Sequence, residues 1–301
     1  MRYTEKAYAK INLHLNVLNK RDDGFHDLLG LMASVSLYDL LKLDGMRVKK
    51  SLKGITGVSL TCSGGSHCDV ITQIPEEDNL ITRSALLYME RVGAAADLSF
   101  TIEKNIPSGA GLGGGSSDAA AALRIMNACF HGVPEHELRG IGAELGADVP
   151  YCISGGFAIC EGTGDIIESI NGTLDCLVLI INSGEHINTG QAFAMLNRGR
   201  QSTLSDEMIA ERKDKFRSAL QQGSLERLTP WLSNDFEEAV FRQHPVIGNN
   251  RKRLYELGAD YAALTGSGSS LIGLFRDRQA AINAQAVMKG SVRDSVLAEF
   301  I

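Results

Sequence analysis

The sequence predicts a two-domain protein that mixes strands with helices, and three observations support this. First, the chain has 301 residues, 44% of them hydrophobic, which suggests two domains of roughly 150 residues each. Second, apolar residues alternate with a period of two over residues 1–18 and 97–104, which is typical of strands. Third, good helix formers dominate residues 119–128 and 134–145, which predicts helices between the strands.

The order of the elements follows from the same patterns. In the first strand Lys10, Asn12 and His14 share the face opposite the apolar residues, so this strand is expected to be half-buried. Residues 28–43 are apolar, and short strands are expected at 51–66. A helix from Leu80, capped within 75–79, strands at 97–104, 153–160 and 176–181, and helices at 119–128, 134–145 and 204–222 follow. The chain closes with a glycine segment at 261–270 that leads into an apolar run at 271–275. Glycine breaks at 165–175 place the domain boundary near residue 168.

The charge balance argues against nucleic acid as a partner, and the apolar pattern argues against a membrane. The chain carries 30 Lys and Arg against 36 Asp and Glu, a formal net charge of −6, and its basic runs are short, so we expect no nucleic acid partner. The first residues lack the apolar core of a signal peptide, and no apolar run approaches the ~20 residues that span a bilayer. A cytoplasmic protein without a membrane partner is therefore expected.

The cysteines and histidines do not form a recognised metal motif. The six cysteines include no Cys-x-x-Cys pair, which excludes a zinc ribbon and a redox motif of that kind. Cys62, His67 and Cys68 permit a metal site, but zinc clusters usually have tighter pairs and a second half-site, so a surface loop is expected. The seven histidines contain no i, i+4 pair in a helical setting.

A glycine-rich segment, PSGAGLGGGSSD at residues 107–118, is the most informative part of the chain. Five of the seven residues 109–115 are glycine, and ordering glycine is costly because it loses the most backbone entropy on folding. The segment follows a predicted strand and runs into a predicted helix. Such a turn directs backbone N–H groups and the positive end of the helix dipole at one point, a geometry that binds phosphate.

Three known phosphate-binding patterns fit this loop poorly. Residues 109–114 match G-x-G-x-x-G, but no acidic residue ends a strand about 20 positions later. A P-loop requires Lys followed by Ser or Thr at the end of the loop, and a protein kinase requires His-Arg-Asp; both are missing. A phosphate cradle made of backbone amides with Ser116 and Ser117 remains, and the alternative is a purely structural linker.

The glycine segment resembles the central nucleotide-binding motif of the GHMP kinases. Other matches to the family, in the expected order, are Ala9-Lys10-Ile11-Asn12-Leu13, Asp23-Gly24-Phe25-His26, residues 75–80, Gly146-Ala147-Asp148-Val149-Pro150, Ser233-Asn234-Asp235-Phe236-Glu237 and Thr265-Gly266-Ser267-Gly268-Ser269-Ser270. The last of these resembles the family motif that packs against the nucleotide loop. Phenylalanine and histidine after the first-strand turn resemble the branch that acts on a cytidine diphosphate-linked methylerythritol.

The resemblance implies an α+β, two-domain GHMP kinase fold. Residues 1–168 would form an ATP-binding domain like ribosomal protein S5 domain 2, and residues 169–301 a ferredoxin-like domain. It also implies ATP as co-substrate and Mg²⁺. The nucleotide-binding residues would be Pro107, Ser108, Gly109, Ala110, Gly111, Leu112, Gly113, Gly114, Gly115, Ser116 and Ser117, and Ser116 would also ligate the metal.

The resemblance further assigns roles around the acceptor. Asp148 would take the proton of the acceptor hydroxyl, and Lys10 would keep that aspartate ionised and offset negative charge. Asn12 would orient the acceptor or the aspartate. His26 would bond the pyrimidine edge, while Phe25 and Phe193 would stack on the base. Thr189, which would also bind the substrate, and Phe193 rest on a looser match through Ile187-Asn188-Thr189. For Phe193 an ordinary core residue is the open alternative.

The implied reaction transfers phosphate from ATP to the 2-hydroxyl of the cytidyl substrate. The family more often has tyrosine where Phe25 stands; stacking survives that change, but a contact through the phenol oxygen does not. Two alternatives stay open: a homoserine or mevalonate type of GHMP kinase, and a nucleotide-binding relative without catalysis. A monomer or weak homodimer is expected.

Overall fold

A computed structural model describes residues 3–49, 56–130 and 132–301. Residues 51–55 of the predicted short-strand region and His131 lie outside the described residues. The strands are β1 Tyr3–Lys20, β2 His26–Val48, β3 Gly57–Gly64, β4 Ala96–Glu103, β5 Phe157–Gly162, β6 Ile166–Ile170, β7 Leu177–Asn182, β8 Tyr261–Leu264, β9 Ser270–Phe275 and β10 Asp294–Ala298. The α-helices are α1 Cys68–Gln73, α2 Leu80–Arg91, α3 Gly114–Cys129, α4 Glu135–Ala143, α5 Val149–Ser154, α6 Thr189–Leu196, α7 Asp206–Gln221, α8 Leu225–Leu228, α9 Glu237–Gln243, α10 Pro245–Glu256 and α11 Arg278–Met288.

The first of two compact units contains the residues up to Ala9, Leu37–Ser108 and Gly113–Ser154. Within it the second half of β2 pairs antiparallel with β4, and β4 pairs parallel with β3. The helix α3 belongs to the same core as β4, and its run of four alanines, residues 119–122, is fully buried. Because alanine side chains are small, they let neighbouring elements approach this helix closely.

The second unit contains Lys10–Ser36, Gly109–Leu112 and Gly155–Ile301. Within it the first half of β2 pairs with β5, and β5 pairs with β6, both antiparallel. A separate antiparallel sheet has the order β10-β7-β9-β8. Its core includes apolar residues of α9, α10 and α11. The mixture of helices with mainly antiparallel sheets confirms the α+β class, whereas the domain limits near residue 168 stay a prediction.

Two of the expectations about strands are wrong. The first is that β1 is half-buried, because every residue from Ala9 to Leu18 is buried. The polar face of β1 is covered by polar partners, among them Thr265 and Ser233, which alternation alone cannot reveal. The second is the series of short strands at 51–66, because the described part of that region holds one strand, β3, paired with β4.

The segment around Cys62 and Cys68 is also different from the expected surface loop. The two sulfurs form a disulfide that joins the end of β3 to the start of α1. His67 is buried, and its backbone N–H donates to the carbonyl oxygen of Lys104 at 3.0 Å. The sequence shows no spacing that distinguishes such a pair from two free thiols.

Across residues 3–49, 56–130 and 132–301, no helix is both long and apolar enough to cross a bilayer.

Candidate active site

The glycine loop combines left-handed backbone with a close approach to another segment. Gly109, Gly111 and Gly113 have φ values of 63°, 78° and 66°, a region that side chains with a Cβ rarely adopt. A Cβ at Gly111 would lie 2.3 Å from the carbonyl oxygen of Thr265. The N–H of Ser270 also donates to the carbonyl of Ala110 at 3.2 Å. The expectation that residues 265–270 pack against the loop is confirmed.

The two serines at the start of α3 differ in what their hydroxyls do. Ser117 Oγ donates to the carbonyl of Gly114 at 3.0 Å, so this hydroxyl already serves the helix. Ser116 is half-buried, and no partner for its hydroxyl is found among the described residues. Hydroxyl oxygen suits Mg²⁺, which usually takes few protein ligands and completes its shell with phosphate oxygens and water. The residues present therefore fit a nucleotide-bound Mg²⁺ through Ser116, although the described residues contain no cluster of three or more His, Cys, Asp or Glu that would form a metal site.

Lys10 and Asn12 come together on β1. Lys10 Nζ donates to Asn12 Oδ1 at 2.7 Å, and both side chains are buried. The N–H of Asn12 donates to Thr265 Oγ1 at 2.9 Å, while the N–H of Lys10 donates to the carbonyl of Leu112 at 3.0 Å. These bonds connect the polar face of β1 to the glycine loop and to the 265–270 segment.

Asp148 lies immediately before the short helix α5 in the first unit. Its side chain is half-buried, and its carbonyl accepts from the N–H of Cys152 at 3.0 Å. The end of α5 is held by Arg124 of α3, whose Nη1 donates to the carbonyl of Cys152 at 2.8 Å. The backbone around this aspartate is therefore fixed by bonds to a buried helix.

The residues predicted to bind the base are in part brought together. The rings of His26 and Phe193 are stacked, with centroids 4.9 Å apart and planes 24° from parallel. Phe193 also makes an edge contact with Phe236 at 4.9 Å. Phe25 has no ring partner among the described residues and is 65% exposed. Thr189, at the start of α6, shares a hydrogen bond with Ser267 at 3.0 Å.

The electrostatics at His26 favour the neutral imidazole. Partial burial lowers the pKa of His26, and the positive charges of Lys20 and Arg198 lower it further. A neutral imidazole has one nitrogen that donates and one that accepts. Such a ring can match the edge of a pyrimidine, which also presents both kinds of group.

The Ser233–Glu237 signature holds the neighbouring backbone. Asn234 Nδ2 donates to the carbonyls of Leu264 and Gly266 at 2.8 and 2.9 Å. Asp235 accepts from Asn16 and from the N–H of Val17, both at 2.9 Å. This segment therefore ties β1 to the second glycine segment, which explains a match that the sequence alone left without a role.

A buried histidine contributes to the same network. The N–H of Ser233 donates to His14 Nδ1 at 3.1 Å, so Nε2 carries the proton and donates to Asn16 Oδ1 at 2.8 Å. Burial, together with the charge of Arg212, lowers the pKa of His14 to about 3. His14 is therefore uncharged at neutral pH and acts as a structural hydrogen-bonding group.

Sequence reasoning missed a buried charged cluster of Asp39, Lys104 and Asp118 in the first unit. Lys104 Nζ forms a very short ion pair with Asp39 and donates to Asp118 Oδ2 at 2.6 Å. The three side chains are at most 4% exposed. Burial lowers the pKa of Lys104, but the two carboxylates outweigh it and leave that pKa raised. Burial also raises the pKa of Asp118 well above its usual value, despite the opposing charge of Lys104.

Comparison with known proteins points to one family. The model of the GHMP kinases N terminal domain matches residues 79–156, and that of the GHMP kinases C terminal matches residues 216–293. A 4-diphosphocytidyl-2-C-methyl-D-erythritol kinase of Solibacter usitatus is 38% identical, with 93% of this chain and 83% of the relative covered. A relative with the same name from Chlorobium phaeobacteroides is 36% identical, with 93% and 91% covered.

Solved structures give the same picture. A crystal structure of 4-(cytidine 5'-diphospho)-2C-methyl-D-erythritol kinase has a TM-score of 0.76 at 27% identity and covers 99% of both chains. A homoserine kinase from Cytophaga hutchinsonii has a TM-score of 0.72 at 19% identity, covering 97% of this chain and 95% of that one. The second similarity concerns the fold alone.

Proposed function

This chain belongs to the GHMP kinase family and is an ATP-dependent phosphotransferase, and on that premise we propose that its acceptor is 4-diphosphocytidyl-2-C-methyl-D-erythritol. The products would be the 2-phosphate and ADP, in a step of non-mevalonate isoprenoid precursor synthesis. The observation that carries this choice is the stacked pair of His26 and Phe193, which joins an apolar ring face to a neutral imidazole where a pyrimidine is to be recognised. The names of the relatives support the same acceptor.

At the nucleotide end, backbone amides of residues 108–117 bind the phosphates of ATP. Amides suit this task because phosphoryl transfer needs in-line placement and charge stabilisation and little covalent chemistry. The left-handed glycines keep side chains out of the cradle. Mg²⁺, held in part by Ser116, would supply positive charge that offsets the phosphate oxygens.

At the acceptor end, the oxygen of the 2-hydroxyl forms a bond to the γ-phosphorus, and Asp148 accepts the proton of that hydroxyl. The bond from that phosphorus to the bridging oxygen breaks, and ADP leaves with the electron pair. Lys10 provides positive charge that offsets the negative charge developing on the transferred phosphoryl group. Asn12, bonded to Lys10, fixes the position of that ammonium group.

At the cytidine end, His26 bonds the pyrimidine edge while Phe193 and the exposed Phe25 provide aromatic faces. His26 now lies directly on Phe193, so insertion of the base requires one of these rings to move. Thr189 positions the start of α6 through its bond to Ser267. The cytoplasmic location and a monomeric or weakly dimeric state remain predictions from the sequence.

The test measures ATP turnover with Mg²⁺ against a panel of acceptors. The panel contains 4-diphosphocytidyl-2-C-methyl-D-erythritol, homoserine, mevalonate and no acceptor. Turnover with the cytidyl compound alone supports the proposal. Turnover with homoserine or mevalonate would reject the cytidyl acceptor, and ATP binding without any turnover would favour a non-catalytic relative.

Matched variants separate the proposed roles. Asp148→Asn keeps the shape of the side chain but removes the base, so kcat should fall by a factor on the order of 10²–10⁴ with little change in either KM. His26→Ala should raise KM for the cytidyl substrate and leave KM for ATP unchanged. If His26→Ala loses as much activity when both substrates are saturating as it does at low substrate concentration, its role in recognition is contradicted.

A further inference from the structure

The buried ion cluster of Asp39, Lys104 and Asp118 lies at both chain ends of the glycine loop. Lys104 directly follows β4 and precedes the loop, whereas Asp118 lies in the first turns of α3, after the loop. Their side chains meet at 2.6 Å. A single ion pair therefore connects the residue that enters the loop region to the helix that leaves it.

Asp39 fixes the entrance of the loop with both of its carboxylate oxygens. Its Oδ1 accepts from the N–H groups of Asn105 and Ile106, at 2.5 and 2.8 Å, and its Oδ2 accepts from Lys104. Three donors thus converge on the buried side chain of Asp39, which lies on the neighbouring strand β2. The backbone of residues 104–106 is held in one place immediately before Pro107.

The exit of the loop is equally close to the cluster. A Cβ at Gly114 would lie 3.2 Å from Lys104 Nζ and 3.0 Å from Ile106 Cγ2. The first residue of α3 therefore packs directly against the ammonium group and the residue that Asp39 binds. This proximity gives a physical reason for glycine at position 114, where the helical backbone itself would accept any residue.

We propose that Asp39, Lys104 and Asp118 act as a clamp of positioning residues that sets the shape of the glycine loop for ATP. The clamp does not touch the nucleotide. It holds the two chain ends of the loop at a fixed separation, so the amides between them are arranged for phosphate before ATP arrives. Preorganisation of this kind increases affinity because less conformational freedom is lost on binding. The inference rests on the proposed use of the loop for ATP.

The two carboxylates have unequal roles within the clamp. Both oxygens of Asp39 accept hydrogen bonds, so the amide group of an asparagine would place a donor against another donor. Asp118 uses Oδ2 alone, and its buried Oδ1 has no partner in the described part of the chain. An asparagine at 118 can keep its oxygen on Lys104 and turn its NH₂ to the unused side. Burial also favours an uncharged group there, since it raises the pKa of Asp118.

The experiment compares the same chemical change at the two positions. ATP affinity of Asp39→Asn, Asp118→Asn and Asp118→Ala is measured by calorimetry without acceptor, well below the unfolding temperature of each variant, and KM values for ATP and acceptor are measured beside it. Asp39→Asn should weaken ATP binding about tenfold or more, and Asp118→Ala about three- to tenfold. Asp118→Asn should stay within about twofold of the wild type. KM for the acceptor should change little in any of them.

Glu103→Gln provides the matched control. It removes the negative charge from the Lys42–Glu103 pair, which is 2.6 Å long, about one-third exposed and joins β2 to β4 next to the clamp, and it should leave ATP affinity unchanged. If Asp39→Asn does not fold, Asp118→Ala provides the test. This variant removes the Lys104–Asp118 ion pair with α3 and keeps the ion pair of Lys104 with Asp39.

Three outcomes would overturn the clamp. They are a folded Asp118→Ala with wild-type ATP affinity, equal effects of the two asparagine variants, and lower stability in both without a change in ATP affinity. Wild-type protein that does not bind ATP would instead overturn the proposed function. The two failures are therefore distinguishable.

Discussion

The glycine loop and the proposed base-binding residues, Phe25, His26 and Phe193, are held in place by different physical means. The loop is braced by ionic groups at most 4% exposed, with Asp39, Lys104 and Asp118 on its flanks. The proposed base-binding residues are more exposed: Phe25 is 65% exposed, and Phe193 is partly buried on α6, where Ala192 is fully buried. A buried charged cluster fixes one region, whereas a helix cap, ring contacts and apolar packing hold the other.

The difference corresponds to the two tasks of the enzyme. ATP is the co-substrate throughout the family, and the proposed clamp would hold the loop ready for it before binding. The acceptor differs among members, and residues on exposed turns and short helices can change without disturbing a core. In the proposed binding mode the stacked rings of His26 and Phe193 separate to admit the base, and the short helix α6 is where that movement would occur.

The largest expected effect in this comparison comes from Lys104→Met. This change leaves two carboxylates buried without their cation, and breaking a buried ion pair in this way typically costs about 3–5 kcal/mol. The free energy of unfolding, measured by urea denaturation at neutral pH, should fall by that amount.

The matched change in the second unit is Arg198→Met. Arg198 forms an ion pair with Asp235 at 2.7 Å and is 26% exposed, and Asp235 keeps its bonds to Asn16 and Val17. The loss should be about 1 kcal/mol or less, as for partly exposed pairs. Equal losses in the two variants would show that burial does not distinguish the two regions.

The sequence predicts the fold class and proposes a list of site residues, but it does not predict the contacts that support those residues. Strand alternation places Lys104 on the same face as buried Leu98, Phe100 and Ile102. A lysine on that buried face requires a carboxylate partner. The pattern therefore contains a signal for the clamp. The partner Asp39 is 65 residues away along the chain, and that pairing depends on the register of β2 with β4, which local patterns do not give.

A smaller effect on stability is expected from acid, through the hydrogen bonds of His14 on β1 with Ser233 and Asn16. His14 has its pKa lowered to about 3 in the folded protein, against about 6.5 when unfolded. Between these pH values the unfolded chain binds more protons than the folded protein. The contribution of neutral His14 to the free energy of unfolding is therefore complete above pH ~6.5 and is lost as pH falls toward 3. His14→Gln removes the titrating group, and its free energy of unfolding should depend less on pH in that range, by a few kcal/mol. Parallel pH curves for the two proteins would show that His14 does not remain neutral when buried.

The smallest effect tests the loosely held region directly. Asn188 caps α6 by accepting from the N–H of Gln191 at 3.0 Å, and replacing such a cap with alanine costs about 1 kcal/mol. Because α6 has eight residues, of which Ala192 is fully buried, its cap supplies a large share of its stability. Asn188→Ala should therefore loosen Phe193 and raise KM for the cytidyl substrate about two- to fivefold, while KM for ATP stays unchanged. Asp277→Ala is the control, since Asp277 caps α11 through the N–H groups of Gln279 and Ala280 and should cost similar stability without changing either KM. A rise in KM for ATP in Asn188→Ala would mean that the two regions are coupled, and the contrast between a rigid nucleotide loop and an adaptable acceptor site would then not hold.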